Sequence, residues 1–141
     1  MASADLFAMP TLLESFGMAA LEALSHGLPV LATDVYALRE MVDQDVNGVL
    51  LPDSYGAWRG TEANFAILGA QNLELSVRGR RFPALKEHLV EALESLLSDR
   101  DRLRAMGDAS RELFETRFSP EIRERNVRNA LESFLAGAGS C

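Results

Sequence analysis

The chain has 141 residues, with 14 Lys and Arg against 21 Asp and Glu for a formal net charge of −7, and 48% of its residues are hydrophobic. That is one ordinary domain with material for a core, in a soluble globular composition that excludes disordered and membrane-spanning classes. The acidic balance argues against nucleic acid as a partner, because the one basic cluster, Arg78-Gly79-Arg80-Arg81, is outweighed by the remainder and suits only a local anion contact.

From the N-terminus, Met1 to Phe7 carries no basic region and no long apolar core, so it does not read as a signal peptide. The only cysteine is Cys141, so no internal disulfide is available and a reducing, cytoplasmic setting is expected. Peripheral membrane contact stays open. Asp5 to Met9 is a short apolar run closed by Pro10, as expected of a buried strand that delivers a loop at its carboxyl end. A helix is predicted from about Ser15 to His26-Gly27, where Gly suits the left-handed position after a helix. Pro29-Val30-Leu31-Ala32-Thr33 reads as a second buried strand and Ala37 to Val42 as a short amphipathic helix. Asn47-Gly48 reads as a turn and Val49-Leu50-Leu51-Pro52 as a third strand. Strand, helix, strand, helix, strand implies a parallel α/β core.

Between Asp53 and Arg81 this pattern breaks. Tyr55 to Gly60 has loop composition, and Phe65-Ala66-Ile67-Leu68 and Leu73-Glu74-Leu75-Ser76-Val77 flank Gly69-Ala70-Gln71-Asn72, so a β-hairpin insertion is predicted over 53–81. After Pro83 the pattern is helical. Leu85, Leu89, Leu93, Leu96 and Leu97 form one stripe, and Leu103, Met106, Leu113 and Phe114 a second. Ser119-Pro120 is a cap followed by Pro at the first helical position, and Ile122, Val127, Leu131, Phe134 and Leu135 form a third. All three stripes are expected to pack into the core, with Gly137 to Cys141 a frayed tail. Three parallel strands are few for an open sheet covered on both faces, so earlier strands are expected upstream of this sequence.

Chemistry concentrates at Glu14-Ser15-Phe16-Gly17-Met18-Ala19-Ala20-Leu21-Glu22. Glu22 is the only ionisable residue between Phe16 and Ser25, on a helix apolar enough to be largely covered, where a carboxylate is either paired or kept for a ligand. Glu14 falls in the loop after the first strand. Open α/β sheets bind ligands outside the carboxyl ends of their strands, and there the amides of Phe16, Gly17 and Met18 would face a ligand. Gly17 allows close approach, the helix start favours phosphate, and the two carboxylates suit hydroxyls, so a ligand with both phosphate and sugar groups would use the whole set. The same residues also allow a plainer structure. Ser15 would then cap the helix, Glu14 would be a solvated loop residue, and Glu22 would pair at i,i+4 with His26.

Ala4-Asp5-Leu6-Phe7-Ala8-Met9-Pro10, Glu14-Ser15-Phe16-Gly17 with Glu22-Ala23, and Gly27-Leu28-Pro29-Val30-Leu31-Ala32-Thr33-Asp34 closely resemble the donor-binding half of retaining GT-B glycosyltransferases of group 1 (family 4). Asn47 to Pro52 and the closing Phe118-Ser119-Pro120-Glu121 continue the same order. The resemblance implies a partial Rossmann-like parallel sheet followed by C-terminal helices, with residues 1–141 as the C-terminal part of a nucleotide-sugar-binding domain. It implies that Glu14 holds hydroxyls of the donor sugar near the reacting carbon, as the catalytic residue of this segment. The backbone of Phe16, Gly17 and Met18 would meet the sugar and diphosphate, and Glu22 the ribose hydroxyls. A nucleotide-diphosphate sugar is the implied donor substrate, with retention of configuration and neither cofactor nor metal expected.

Two departures stand out. Val35-Tyr36-Ala37 follows Thr33-Asp34 where the family commonly has a small, Gly-rich loop, so Tyr36 is expected to crowd or reshape the pocket, and Ser15 stands where Gly is commoner. The family's acceptor-binding N-terminal domain and its basic phosphate-binding pair have no counterpart in these residues, so an upstream domain or partner chain is expected. His26, at a helix end, and His88, in an amphipathic helix, read as structural. The resemblance thus implies a glycosyltransferase donor-binding segment that is expected to be incomplete by itself. A non-catalytic sugar-nucleotide-binding or assembly module, including a homo-oligomer, and a GT-B-like sugar-nucleotide epimerase are the alternatives.

Overall fold

A computed structural model describes residues 3–53, 58–59, 62–63 and 82–138. Three short strands, β1 (Phe7–Met9), β2 (Val30–Thr33) and β3 (Gly48–Leu51), pair in parallel in the order β1-β2-β3, with Phe7 opposite Val30 and Val30 opposite Gly48. The α-helices α1 (Met18–Ser25) and α2 (Leu38–Met41) make the connections. The parallel α/β core is therefore present, in the partial Rossmann-like form that the sequence implied.

The central strand shows why the sheet forms. Every residue of β2 is buried, but Val30 and Ala32 join one apolar cluster and Leu31 joins another. A strand covered on both faces must be apolar at every position, which is why Val30-Leu31-Ala32 does not alternate. The first cluster packs Ala20, Ala23 and Leu24 of α1 against Val35, Leu38 and Met41. The second joins Leu31 and Leu51 to Leu85 and Leu96 of α3 (Pro83–Ser98) and to Leu103 and Met106 of α4 (Arg100–Leu113). Leu24, Leu31, Leu38 and Leu96 are fully buried, and truncating any one to Ala would cost about 2–5 kcal/mol.

α1 ends as the sequence predicts. Gly27 has φ 68°, its N–H donates to the Leu24 carbonyl at 2.9 Å and the Leu28 N–H to the Ala23 carbonyl at 3.0 Å, the paired closure of a Schellman motif. A Cβ on Gly27 would lie 3.3 Å from the Gly107 carbonyl oxygen, and one on Gly107 only 2.5 Å from the Gly27 carbonyl oxygen. The end of α1 and the middle of α4 therefore meet backbone to backbone.

Several expectations are corrected. α1 begins at Met18, not Ser15. The hairpin predicted at Phe65–Leu68 and Leu73–Val77 lies outside the described residues. Within the same stretch β4 (Trp58–Arg59) and β5 (Glu62–Ala63) pair antiparallel, where composition around Tyr55 to Gly60 indicated loop. The last helix, α5 (Pro120–Ala138), follows a π-helical turn at Phe114–Phe118 and runs past Gly137, where fraying was expected. Ser119 does sit at its start, with its hydroxyl 3.4 Å from the Ile122 N–H. The third apolar stripe is not core. Val127, Leu131, Phe134 and Leu135 are all exposed, because α5 meets the rest of the fold mainly through the π-helical turn. Among the described residues no helix is long and apolar enough to cross a membrane.

Candidate functional site

The parallel topology sends the loops after β1, β2 and β3 to one end of the sheet. Glu14 lies in the first, Asp34 to Ala37 form the second, and Asp53 stands just beyond β3. The first loop is built by its own polar groups: Thr11 N–H donates to the Met9 carbonyl at 2.8 Å, and Thr11 Oγ1 both donates to the Leu13 carbonyl at 2.6 Å and accepts from the Leu13 N–H at 3.2 Å. This local turn brings the chain round to Glu14.

Glu14 Oε1 accepts hydrogen bonds from the Ser15 N–H at 2.9 Å and the Gly17 N–H at 3.1 Å. Glu14 is thus not a solvated loop residue, and Ser15 makes no side-chain bond to the helix start. The carboxylate instead holds the loop up to the N-cap residue Gly17, favoured by the positive end of the helix, without bonding the first helical amides. Gly17 has φ 84°, a region that residues with a Cβ seldom enter, and an added Cβ would lie 2.9 Å from Leu38 Cδ2. Buried in this conformation, Gly17 offers its carbonyl to the Leu21 N–H at 3.0 Å and starts α1. Of the three amides expected to be open, that of Gly17 is taken by Glu14. Those of Phe16 and Met18 have no acceptor among the described residues, and their side chains are 48% and 66% exposed. Glu14 Oε2 likewise has no partner there, so the carboxylate keeps acceptor capacity while it holds the loop.

Glu22 is exposed, contrary to the expectation that its helix is covered all round. Only the Ala20, Ala23 and Leu24 side of α1 is fully buried. Its carboxylate makes no hydrogen bond or ion pair with the described residues. The expected pairing with His26 is absent, since His26 Nδ1 lies 2.9 Å from the Glu22 main-chain carbonyl and 3.2 Å from Ser25 Oγ. His26 therefore finishes the helix, as a structural residue. His88 is half-buried on α3, and its Nδ1 is buried without a partner among the described residues. The two carboxylates border different hollows. Glu14 lines a shallow depression of about 450 Å³ with Leu13, Ser15 and Tyr36, whereas Glu22 lines one of about 530 Å³ with Met18, Leu21 and Phe114 among others.

The second loop contributes more than sequence reasoning assigned to it. Arg39 holds Asp34 by a forked ion pair, Nε to Oδ1 at 2.6 Å and an Nη2 hydrogen bond to Oδ2 at 3.1 Å, fixing the turn between β2 and α2. Within that turn Tyr36 adopts φ 50°, packs partly against the first apolar cluster and borders the Glu14 depression. Burial and, secondarily, the Asp53 carboxylate push its phenol above the ordinary tyrosine range, so the hydroxyl stays protonated at neutral pH. Thr33, the last residue of β2, has a buried Oγ1 without a partner among the described residues. Tyr36 borders the depression it was expected to crowd, and the signal that could have found Thr33 and Asp53 as well was their position at or just after the carboxyl ends of strands.

Residues 1–61 match the model for the family described as glycosyl transferases group 1. The chain is similar to the D-inositol 3-phosphate glycosyltransferase of Nocardia farcinica, 38% identical over 106 residues that cover 74% of this chain and 17% of that protein. It is also similar to the lipopolysaccharide core biosynthesis mannosyltransferase LpsB of Rhizobium meliloti, 28% identical over 131 residues covering 93% of this chain and 29% of that protein. An uncharacterized glycosyltransferase of Methanocaldococcus jannaschii is 42% identical over 60 residues, which are 40% of this chain and 15% of that protein. The chain thus spans less than a third of the length of these curated relatives.

Proposed function

Because the chain belongs to the group 1 glycosyl transferases, we propose that residues 1–141 are the C-terminal part of a donor-binding domain. In this reading it holds a nucleotide-diphosphate sugar for retaining transfer of a hexosyl group to an acceptor bound elsewhere in a longer polypeptide or on a partner chain. The supporting observation is the start of α1, where Glu14, the left-handed Gly17 and two amides that are open among the described residues stand at the carboxyl end of the sheet, with a Glu22 that has no partner among those residues on the same helix.

Each group has a role suited to its chemistry. Glu14 Oε2 accepts hydrogen bonds from hydroxyls of the donor sugar while Oε1 keeps the loop in place, so that the sugar is held by a pre-positioned carboxylate. As the bond between the anomeric carbon and the diphosphate breaks, negative charge gathers on the leaving oxygen. The amides of Phe16 and Met18 stabilise that charge at the helix start. Glu22 accepts from the ribose hydroxyls. Basic side chains beyond this segment complete the diphosphate site, and no metal ion is assigned a part.

Titration calorimetry of the full-length polypeptide with UDP-, GDP- and ADP-sugars tests this reading. One sugar nucleotide is expected to bind, and Glu22→Ala to weaken it about tenfold, the scale of lost hydrogen bonds to a charged group. Equal affinity of wild type and Glu22→Ala would remove the ribose assignment. A second reading, an assembly module, is favoured by the exposed apolar residues of α5. Light scattering during size exclusion separates the two: a stable monomer that binds sugar nucleotide leaves no room for the second.

A further inference from the structure

The depression beside Glu14 holds a residue to which the proposed function gives no task. Tyr36 is one of two non-glycine residues with positive φ among the described residues, the other being Asp45 in a turn. At φ 50° a bulky side chain costs energy that Gly or Asn would avoid, so local backbone preference does not explain a tyrosine here. Core packing explains only part of it, since the ring packs partly against the first apolar cluster and also borders the depression with Leu13, Glu14 and Ser15.

The character of this hollow selects its ligand. At about 450 Å³ it falls in the size range of small-molecule sites, roughly 300–1,000 Å³. The Glu14 carboxylate lines it, the Asp53 carboxylate acts on Tyr36, and the arginine of this loop, Arg39, is engaged with Asp34. A carboxylate in the lining, with no basic group beside it among the described residues, disfavours a diphosphate and suits a neutral ligand rich in hydroxyls. An aromatic ring beside a carboxylate offers what a pyranose needs, an apolar surface for its C–H face and an acceptor for its hydroxyl rim. We propose that Tyr36 is a specificity-determining residue of the donor site, its ring covering one face of the transferred hexose while Glu14 takes that sugar's hydroxyls. This inference rests on the proposed function. It adds Tyr36 to the sugar side of that site, next to Glu14.

The experiment is a comparison of binding by the full-length polypeptide to UDP-glucose, UDP-N-acetylglucosamine and GDP-mannose with binding to UDP and GDP alone. Tyr36→Gly and Tyr36→Asn remove the ring and both accept a positive φ, so they guard against misfolding, and thermal melting of each reports the fold directly. Both variants are expected to bind the preferred sugar nucleotide about fivefold more weakly, while binding the bare nucleoside diphosphate within about twofold of wild type. Tyr36→Phe, which keeps the ring, is expected to stay within about twofold for both. Unchanged sugar-nucleotide affinity in the Gly and Asn variants, or equal weakening of sugar nucleotide and bare diphosphate, would overturn the role of Tyr36 and leave the proposed function standing. A wild type that binds none of these nucleotides would overturn the proposed function and this inference together.

Discussion

At its C-terminal end α1 is closed by its own chain: Gly27 and Leu28 return their amides to Leu24 and Ala23, and Gly107 of α4 packs directly on the turn. At its N-terminal end the closure is partial. Glu14 reaches in from the loop to hold the Ser15 and Gly17 amides, while those of Phe16 and Met18 and the Glu22 carboxylate stay open among the described residues. A helix end satisfied by main chain and covered by a neighbour is a packing device. One left partly open beside a loop carboxylate, at the carboxyl end of a parallel sheet, retains capacity for a ligand. The two ends of one eight-residue helix thus set a packing device against the proposed ligand site.

That separation can be broken most forcefully at the closed end. Gly107→Val would drive a branched side chain into the Gly27 carbonyl, already 2.5 Å from an ideal Cβ, and is expected to cost at least about 3 kcal/mol in urea unfolding. Nucleotide affinity per folded molecule should be unchanged. At the open end, Gly17→Ala forces a Cβ into a left-handed conformation against Leu38. A loss of about 2 kcal/mol is expected. Here affinity should fall as well, because the same turn aims the amides. If binding survives Gly17→Ala intact, the helix start is not the ligand site.

Glu14→Gln sharpens the contrast further. The amide oxygen can still accept from Ser15 and Gly17, but the charge at the helix start is gone, so stability should drop by only about 1 kcal/mol or less. Glycosyl transfer by the full-length polypeptide should fall by at least about a hundredfold, as for other groups that act on the reacting sugar. Activity within a few-fold of wild type would demote Glu14 to a residue that only holds the loop. The smallest structural effect belongs to Glu22→Ala, expected within about 0.5 kcal/mol of wild type in thermal or urea unfolding because the side chain is exposed and has no partner among the described residues. A larger loss would mean that Glu22 has a stabilising role and is not simply held for a ligand.

Much of this was readable from local signals. Pro29 to Thr33 is apolar and β-branched at both faces, Gly27 follows the last helical residues, and Ser119-Pro120 opens α5, each a preference expressed within a few residues. The candidate site residues Glu14, Phe16, Gly17, Met18 and Glu22 were likewise singled out by their spacing and by the family they resemble. Burial was less legible. The α5 stripe has the same periodicity as the α3 stripe, yet Leu96 is fully buried and Phe134 is 72% exposed. Periodicity shows that a helix has an apolar face, but a neighbouring element decides whether that face is covered.

By itself, then, the sequence determined the order of strands and helices, the helix-ending glycine, the family and the two glutamates, because these depend on residue type and short spacing. Tertiary structure decided what those residues do in the folded chain. It turned Glu14 inward onto the Gly17 amide, left Glu22 outside, and placed Tyr36 beside Glu14 rather than merely after Asp34. The physical reason is that a parallel sheet gathers loops distant in sequence at its carboxyl end, so the ligand-facing side of each residue depends on strands it does not belong to.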